Sequence, residues 1–261
     1  MPETMADDIL LAETSGGITT LTLNQPPTIN ALSSALLTRL DQALDAIAVS
    51  SARVVVLQGA GRNFCAGHDL RELQSFRAAP DQGAQAFTRL FTLCAQVMQK
   101  LAALPQPVIA QVHGVATAAG CQLAASCDMV VAADSARFGV NGVNIGLFCH
   151  TPLVALSRKI APAQAFELAA TGAFVTAARA QDLGLVTRLV PPETLQAETR
   201  ALALTLAAKL PSALAQGKRV AAHDLAAAYA RATAAMVDNL LQPDTAEGIQ
   251  AFLDKRSPSW A

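Results

Sequence analysis

Two segments rich in small residues could do chemistry through their backbones: Asn63-Phe64-Cys65-Ala66-Gly67-His68-Asp69-Leu70 and His113-Gly114-Val115-Ala116-Thr117-Ala118-Ala119-Gly120-Cys121. Each follows an apolar run that reads as a buried strand, Val54-Val55-Val56-Leu57 for the first and Val108 to Val112 for the second. Small side chains let N–H groups approach a ligand closely. The second segment also leads into a helix whose first amides have no intrahelical partner and whose dipole adds about half a positive charge. Two such turns could grip one carbonyl oxygen and stabilise charge developing on it. The competing reading of either turn alone is close packing of strand ends, a purpose glycine serves equally well.

Other chemistries lose their usual marks. Gly59-Ala60-Gly61-Arg62-Asn63-Phe64 begins like a dinucleotide fingerprint, but Phe64 replaces the third glycine and no helix is expected there, which argues against NAD binding. Gly217-Lys218 lacks the upstream glycine of a phosphate loop, because position 212 is Ser212, and no Gly-x-Ser-x-Gly elbow occurs. His68, His113, His150 and His223 lie far apart without metal-ligand spacing, so no metal site is expected. The five cysteines, Cys65, Cys94, Cys121, Cys127 and Cys149, form no Cys-x-x-Cys pair and read as buried thiols rather than a disulfide framework.

The elements that must hold the two turns follow from periodicity. Ile9 to Glu13 and Ile18 to Leu23 flank Gly16-Gly17 and predict a hairpin. Ser33 or Ser34 can cap a helix with Leu36, Leu37, Leu40, Ala43, Leu44 and Ile47 on one face. A helix over Ala84 to Leu104 should stop before Pro105 and Pro107, the second turn should run into a helix over Ala118 to Ser126, and Val130-Val131 should start the next strand. Two strands often precede each helix, so the expected class is α/β with a repeated ββα unit. From Pro192 onward strand patterns disappear, Pro211 and Pro243 divide helical segments, and Asp244-Thr245-Ala246-Glu247 has capping-box spacing. The expected division is a core over 1–191 that carries the site and a helical tail over 192–261 for subunit packing.

Of 261 residues, 52% are apolar and only 15% are charged, against about 25% charged in an average soluble domain. This surplus points to extra buried surface between subunits. A net charge of −1 argues against nucleic acid or a membrane surface as partner. The longest stretch free of formal charge, Leu101 to Cys127, is interrupted by Pro105, Pro107, Gln111, His113 and Gly114, so no membrane span is expected. Glu3, Asp7 and Asp8 with no basic residue among the first ten are the reverse of a targeting peptide, and the expected location is the cytoplasm.

Asn30-Ala31-Leu32, Phe64-Cys65-Ala66-Gly67-His68-Asp69-Leu70, Pro107-Val108-Ile109-Ala110, Gly120-Cys121-Gln122-Leu123-Ala124, Cys127-Asp128 and Ala136-Arg137-Phe138-Gly139 together resemble the crotonase superfamily, the enoyl-CoA hydratase/isomerase fold. Glu247 to Arg256 looks like its C-terminal helix, so the ordered match covers essentially the whole chain. Gly142 to Cys149 and Met236-Val237-Asp238-Asn239-Leu240 look closest to the branch represented by the mitochondrial enoyl-CoA hydratase domain-containing proteins. The resemblance implies a crotonase-like spiral of ββα units, a helical tail that builds trimers or dimers of trimers, and an acyl-CoA thioester as partner, with coenzyme A part of the substrate and no separate cofactor. By position, the oxyanion donors would be the amides of His68 and Ala119. Coenzyme A contacts would fall on Ala66, on His68, Asp69, Leu70 and Arg71, and on Lys255 from a neighbouring subunit.

Hydratases of this superfamily activate water with two glutamates, and the positions that resemble them here hold Gln122 and Gly142. Glutamine can orient a water but cannot exchange a proton near neutral pH, and glycine can do neither. Weak or altered hydration or isomerisation is expected, with a non-catalytic acyl-CoA-binding protein as the alternative. Glutamate at both positions should raise crotonyl-CoA hydration if the frame is intact. His150 falls in the loop where other superfamily members place a functional aspartate and is a candidate base or nucleophile, against the simpler reading of a hydrogen-bonded loop histidine. Asn141 and Asn144 could hold water or substrate, although loop asparagines more often support turns.

Overall fold

The computed structural model describes residues 8–221 and 225–259. The acidic N-terminal residues Glu3 and Asp7, and His223, lie outside the described residues. Strands β1 (Leu10–Ser15) and β2 (Ile18–Leu23) form the expected hairpin, with Gly16 and Gly17 both at positive φ (61° and 77°). This is what a two-residue turn matched to the strand twist needs. Helix α1 (Ser34–Ala48) is capped by Ser33, whose side chain accepts from the Leu36 amide, and buries Leu36, Leu37, Leu40, Leu44 and Ile47. Strand β3 (Val54–Gly59) leads through the first small-residue turn into α2 (Leu70–Phe76), a short helix that the apolar pattern did not announce. Helix α3 (Ala84–Ala103) ends before Pro105, as expected.

Strand β4 (Val108–Val112) is followed not directly by a helix but by a three-residue strand, β5 (Val115–Thr117). Helix α4 then covers Ala119–Ser126, so Ala118 is its N-cap rather than its first residue. Next come β6 (Met129–Ala133), β7 (Arg137–Gly139), a 3-10 turn (Asn141–Ile145), α5 (His150–Leu156), α6 (Pro162–Thr171), β8 (Phe174–Thr176), α7 (Ala177–Leu183) and β9 (Arg188–Val190). The tail folds as α8 (Leu195–Ala207), α9 (Pro211–Ala221), α10 (Leu225–Leu240) and α11 (Pro243–Leu253).

A six-stranded sheet in the order β1-β2-β3-β4-β6-β9 is parallel apart from the hairpin, and a second sheet has the order β5-β7-β8. The paired strands read from the sequence are thus divided between layers. The first member of each pair, β4 or β6, joins the large sheet, and the second, β5 or β7, joins the small one. The central strands are buried on both faces, which explains their unbroken apolar runs, and α8 lies across β2, β3, β4 and β6. Helix α10 packs against α3 and α5, and α11 against α2 and the Asn141–Ile145 turn, so the end of the tail folds back onto the core.

The capping box read at Asp244 to Glu247 does not form. The N-cap of α11 is Gln242 with Pro243 at the first helical position, a place where the missing N–H costs nothing. Glu247 instead binds Arg256 at 2.6 and 2.9 Å. The five cysteines are buried and unpaired, as expected. Among the described residues no helix is long and apolar enough to cross a membrane, and no cluster of metal-ligating side chains occurs.

Candidate functional site

The two small-residue turns meet edge to edge. The Phe64 amide donates to the carbonyls of His113 and Val115, the Cys65 amide to Val115 (3.1 Å) and the Thr117 amide to Cys65 (3.0 Å), which makes a parallel bridge between Cys65 and Ala116. Carried forward along both chains, that register sets Gly67 beside Ala118 and His68 beside Ala119. A Cβ at Gly67 would stand 2.9 Å from the Ala118 Cβ and 3.1 Å from the Ala119 nitrogen, and Gly67 also has φ +90°. At Gly120 a Cβ would stand 2.3 Å from the Cys65 carbonyl oxygen, so helix α4 approaches this closely only because it carries glycine there.

The His68 amide has no acceptor among the described residues, and Ala119 opens α4, where its N–H has no intrahelical partner. Ala118 between them holds φ 49° and ψ −122°, a conformation costing an alanine of order 1–3 kcal/mol. Its own amide donates to Gly139 at 2.9 Å, which pins the turn in that shape. Asn30 secures the other side. Fully buried, it directs Nδ2 at the carbonyls of Ala60, Asn63 and Phe64, each at 3.0 Å, while its Oδ1 accepts from the Gln25 amide.

His68 and Ala119 both line one cavity of about 370 Å³. Ala66, His68 and Leu70 come from the first turn, and Thr117, Ala118 and Ala119 from the second. Asn141, Gly142, Asn144, Leu147, Phe148 and Cys149 form another part of the wall, and Met236 of α10 and Phe252 of α11 contribute from the tail. A larger groove of about 740 Å³ between α3 and α10 includes neither turn.

Among the described residues no carboxylate lines the cavity. The His68 ring donates from Nδ1 to the Leu32 carbonyl (3.1 Å) and meets Phe91 edge-on at 4.7 Å, and burial lowers its pKa to about 4. Burial pushes the Cys149 thiol up to about 11. No lining side chain therefore exchanges a proton readily near neutral pH. The Thr117 hydroxyl donates to Asn141 Oδ1 at 2.6 Å.

Of the residues proposed from sequence, the structure gathers Ala66, His68, Leu70, Ala119, Asn141, Gly142 and Asn144 around the cavity. Gln122 sits behind it, fully buried, with Oε1 accepting from the hydroxyl of Thr151 at 3.1 Å. His150 is also outside the lining, where Nδ1 donates to the Phe148 carbonyl at 2.8 Å and burial lowers the ring's pKa. Asp69 caps α2 through the amides of Arg71 (2.9 Å) and Glu72 (3.3 Å). Arg71 and Lys255 are exposed and lie apart from the lining.

At Gly142 a Cβ would stand 2.3 Å from the Leu147 carbonyl oxygen and 2.9 Å from Cys149 Sγ. The frame that would have to receive a glutamate there is closed by backbone. Sequence reasoning missed Phe91, Met236 and Phe252 as site residues, since a helical apolar stripe carries no sign of which member reaches a cavity. Gly217-Lys218 lies inside α9, and Lys218 Nζ is spent on Asp128 (2.6 Å) and the carbonyls of Leu101 and Gln106.

Comparison with known proteins bears on the family and the fold. The enoyl-CoA hydratase/isomerase family model matches residues 13–261. The mitochondrial enoyl-CoA hydratase domain-containing protein 3 of Rattus norvegicus is 41% identical over 250 residues, covering 94% of this chain and 82% of the relative. The crystal structure of the human form of that protein superimposes with a TM-score of 0.77 at 39% identity, covering 97% of this chain and 100% of the other. An enoyl-CoA hydratase of Mycobacterium smegmatis gives a TM-score of 0.78 at 46% identity over 97% and 99% of the two chains. The chain belongs to the enoyl-CoA hydratase/isomerase family of the crotonase superfamily.

Proposed function

We propose that the cavity binds an acyl-CoA thioester with its carbonyl oxygen between the amides of His68 and Ala119, and that the protein carries out a weak or altered hydration or isomerisation on it. The observation that carries this reading is that His68 and Ala119, whose amides have no backbone acceptor among the described residues, stand in adjacent register and line one cavity. Charge moving onto the thioester oxygen as an enolate forms would be met by donors already in place, each worth about 10²- to 10³-fold in rate. Coenzyme A would run past Ala66 and His68 to Arg71. The carboxylate of Asp69 is committed to its cap, which leaves the backbone for that contact. Lys255 would reach a phosphate of a neighbouring subunit's ligand in a trimer or a dimer of trimers.

Proton transfer is the weak part of this machinery. A positioned acid or base contributes about 10²- to 10⁴-fold. Gln122 is walled off, Gly142 offers no side chain and His150 is engaged with Phe148. Water ordered by Asn141 would have to carry the proton, with Gln122 and His150 acting only through the residues they hold. The closed backbone at Gly142 favours the second reading, an acyl-CoA-binding protein without efficient turnover.

Steady-state hydration of crotonyl-CoA, followed by loss of the conjugated thioester absorbance, separates the two. A kcat/KM of about 10⁴ M⁻¹s⁻¹ or more establishes the enzyme. Saturable acyl-CoA binding without turnover establishes the carrier, and absence of both refutes the acyl-CoA reading.

A further inference from the structure

The part of the cavity wall around Leu147 and Phe148 is tied to the tail helices by two side chains. Asn239, in α10, accepts from the Phe148 amide through Oδ1 (2.8 Å) and donates through Nδ2 to the Gly146 carbonyl (3.0 Å) and to Thr245 Oγ1 (3.0 Å). Thr245, in α11 and fully buried, donates its own hydroxyl to the same Gly146 carbonyl at 2.9 Å. The one acceptor and both hydrogens of the Asn239 amide are thus used, and the sense of the amide is fixed.

Three of these four bonds hold the segment that follows the Asn141–Ile145 turn, and the fourth ties the two side chains to each other. Gly146 is in the left-handed region at φ 72°, and between it and α5 lie Leu147, Phe148 and Cys149, all three lining the cavity. The Leu147 amide in turn donates to the Gly142 carbonyl at 3.0 Å, so the clamp extends to the Asn141–Ile145 turn, which also lines the cavity. The same two helices send Met236 and Phe252 into the lining, three and seven residues from the clamp along each helix. One tail unit therefore supplies part of the acyl wall and sets the position of the rest.

We infer that Asn239 and Thr245 are positioning residues for acyl-group selection: they set where Leu147 and Phe148 stand against the acyl chain and leave the coenzyme A moiety untouched. This assignment rests on the acyl-CoA reading above. Its chemistry is specific. Aspartate has the size of asparagine and could still accept from Phe148, but it cannot donate to Gly146, and it would turn an anionic oxygen toward that carbonyl. Valine at 245 keeps the shape of threonine and removes the hydroxyl, whereas serine keeps the hydroxyl.

The test is a calorimetric titration of the full chain with hexanoyl-CoA and with coenzyme A alone, for the parent, Asn239→Asp, Thr245→Val and Thr245→Ser. The expected result is a tenfold or greater rise in the hexanoyl-CoA Kd for Asn239→Asp and Thr245→Val. The coenzyme A Kd should stay within twofold and Thr245→Ser within threefold of the parent for both ligands. Should Asn239→Asp fail to fold, Thr245→Val reads the same ratio against Thr245→Ser. A parent that binds hexanoyl-CoA while the folded variants keep its ratio of the two constants overturns the positioning role, even if their Tm falls. A parent that binds neither ligand overturns the acyl-CoA reading itself, and the assignment with it.

Discussion

Gly142 offers the sharpest test of whether the packing of this site could admit a glutamate at that position. A Cβ there would stand 2.3 Å from the Leu147 carbonyl oxygen, where ordinary contact begins at 3.4 Å, and 2.9 Å from Cys149 Sγ. The obstacle is backbone, and that carbonyl belongs to a turn closed by the Leu147 amide on Gly142 and anchored next door at Gly146 by Asn239 and Thr245. To admit one methyl group the turn must yield by roughly 1 Å, and overpacking of this kind costs about 1–3 kcal/mol. In a chain of this size each kcal/mol moves Tm by about 2–4 °C, so Gly142→Ala should lower Tm by about 4–8 °C at the middle of that range. Gly142→Glu adds a carboxylate beside the apolar side chains of Leu147 and Phe148 and should cost at least as much. Gln122→Glu places a second carboxyl in a fully buried position beside the uncharged hydroxyls of Thr151 and Tyr229, and burial there favours its neutral form. The double variant should therefore gain less than tenfold in crotonyl-CoA hydration, in contrast to the expectation from sequence. The assays are thermal denaturation of Gly142→Ala and steady-state hydration by Gly142→Glu/Gln122→Glu. A Gly142→Ala protein with the parent's Tm, together with a hundredfold or greater gain in hydration by the double variant, would refute the packing argument and show that only the carboxylates were missing.

Three further outcomes follow from the same geometry. Because the folded His68 ring titrates near 4 rather than near 6.5, the unfolded chain takes up its proton first; the contribution is complete above pH 6.5 and is lost as pH falls toward 4. The 2.5-unit difference corresponds to about 3 kcal/mol, so His68→Gln should flatten the dependence of the urea midpoint on pH in that window, and parallel curves for parent and variant would count against it. Gly120→Ala, with its Cβ 2.3 Å from the Cys65 carbonyl oxygen, should part the two turns and lower acyl-CoA affinity tenfold or more, read as a smaller Tm rise at a fixed ligand concentration; an unchanged rise would contradict the two-amide site. Lys218→Met leaves Asp128 and two carbonyls without their cation, and should cost about 3 kcal/mol by denaturant titration, the low end for a buried pair because a quarter of Asp128 is exposed. A change below about 1 kcal/mol would show that water replaces the ammonium group there.

Much of the architecture was present in local pattern. The apolar run Val54 to Leu57 announced a strand covered on both faces, Gly16-Gly17 a hairpin, Ser33 a helix cap and Pro105 a helix end, because each depends on steric or hydrogen-bonding preferences acting within a few residues. The small residues of both turns likewise marked where backbone amides could be presented, and the apolar surroundings of the cysteines marked them as buried. Helix α2 escaped notice because seven residues with one buried leucine carry almost no periodic signal, and its cap, Asp69, looked like a ligand contact. The capping-box spacing at Asp244 to Glu247 misled because Pro243 already occupied the first helical position.

What tertiary structure alone decided is the site. The bridge between Cys65 and Ala116, 51 positions apart, sets His68 beside Ala119, and no local preference specifies a register between segments so distant. Whether Gln122 faces the cavity or stands behind Thr151, and whether Gly142 is an empty place or a filled one, depends on which chain segments pack there. The contributions of Met236 and Phe252, and the grip of Asn239 and Thr245 on Gly146, arise only when the tail folds back across the core. Periodicity shows which face of a helix is buried; the atoms it is buried against are chosen by close packing of the whole chain, in which one methyl group is enough to open or close a site.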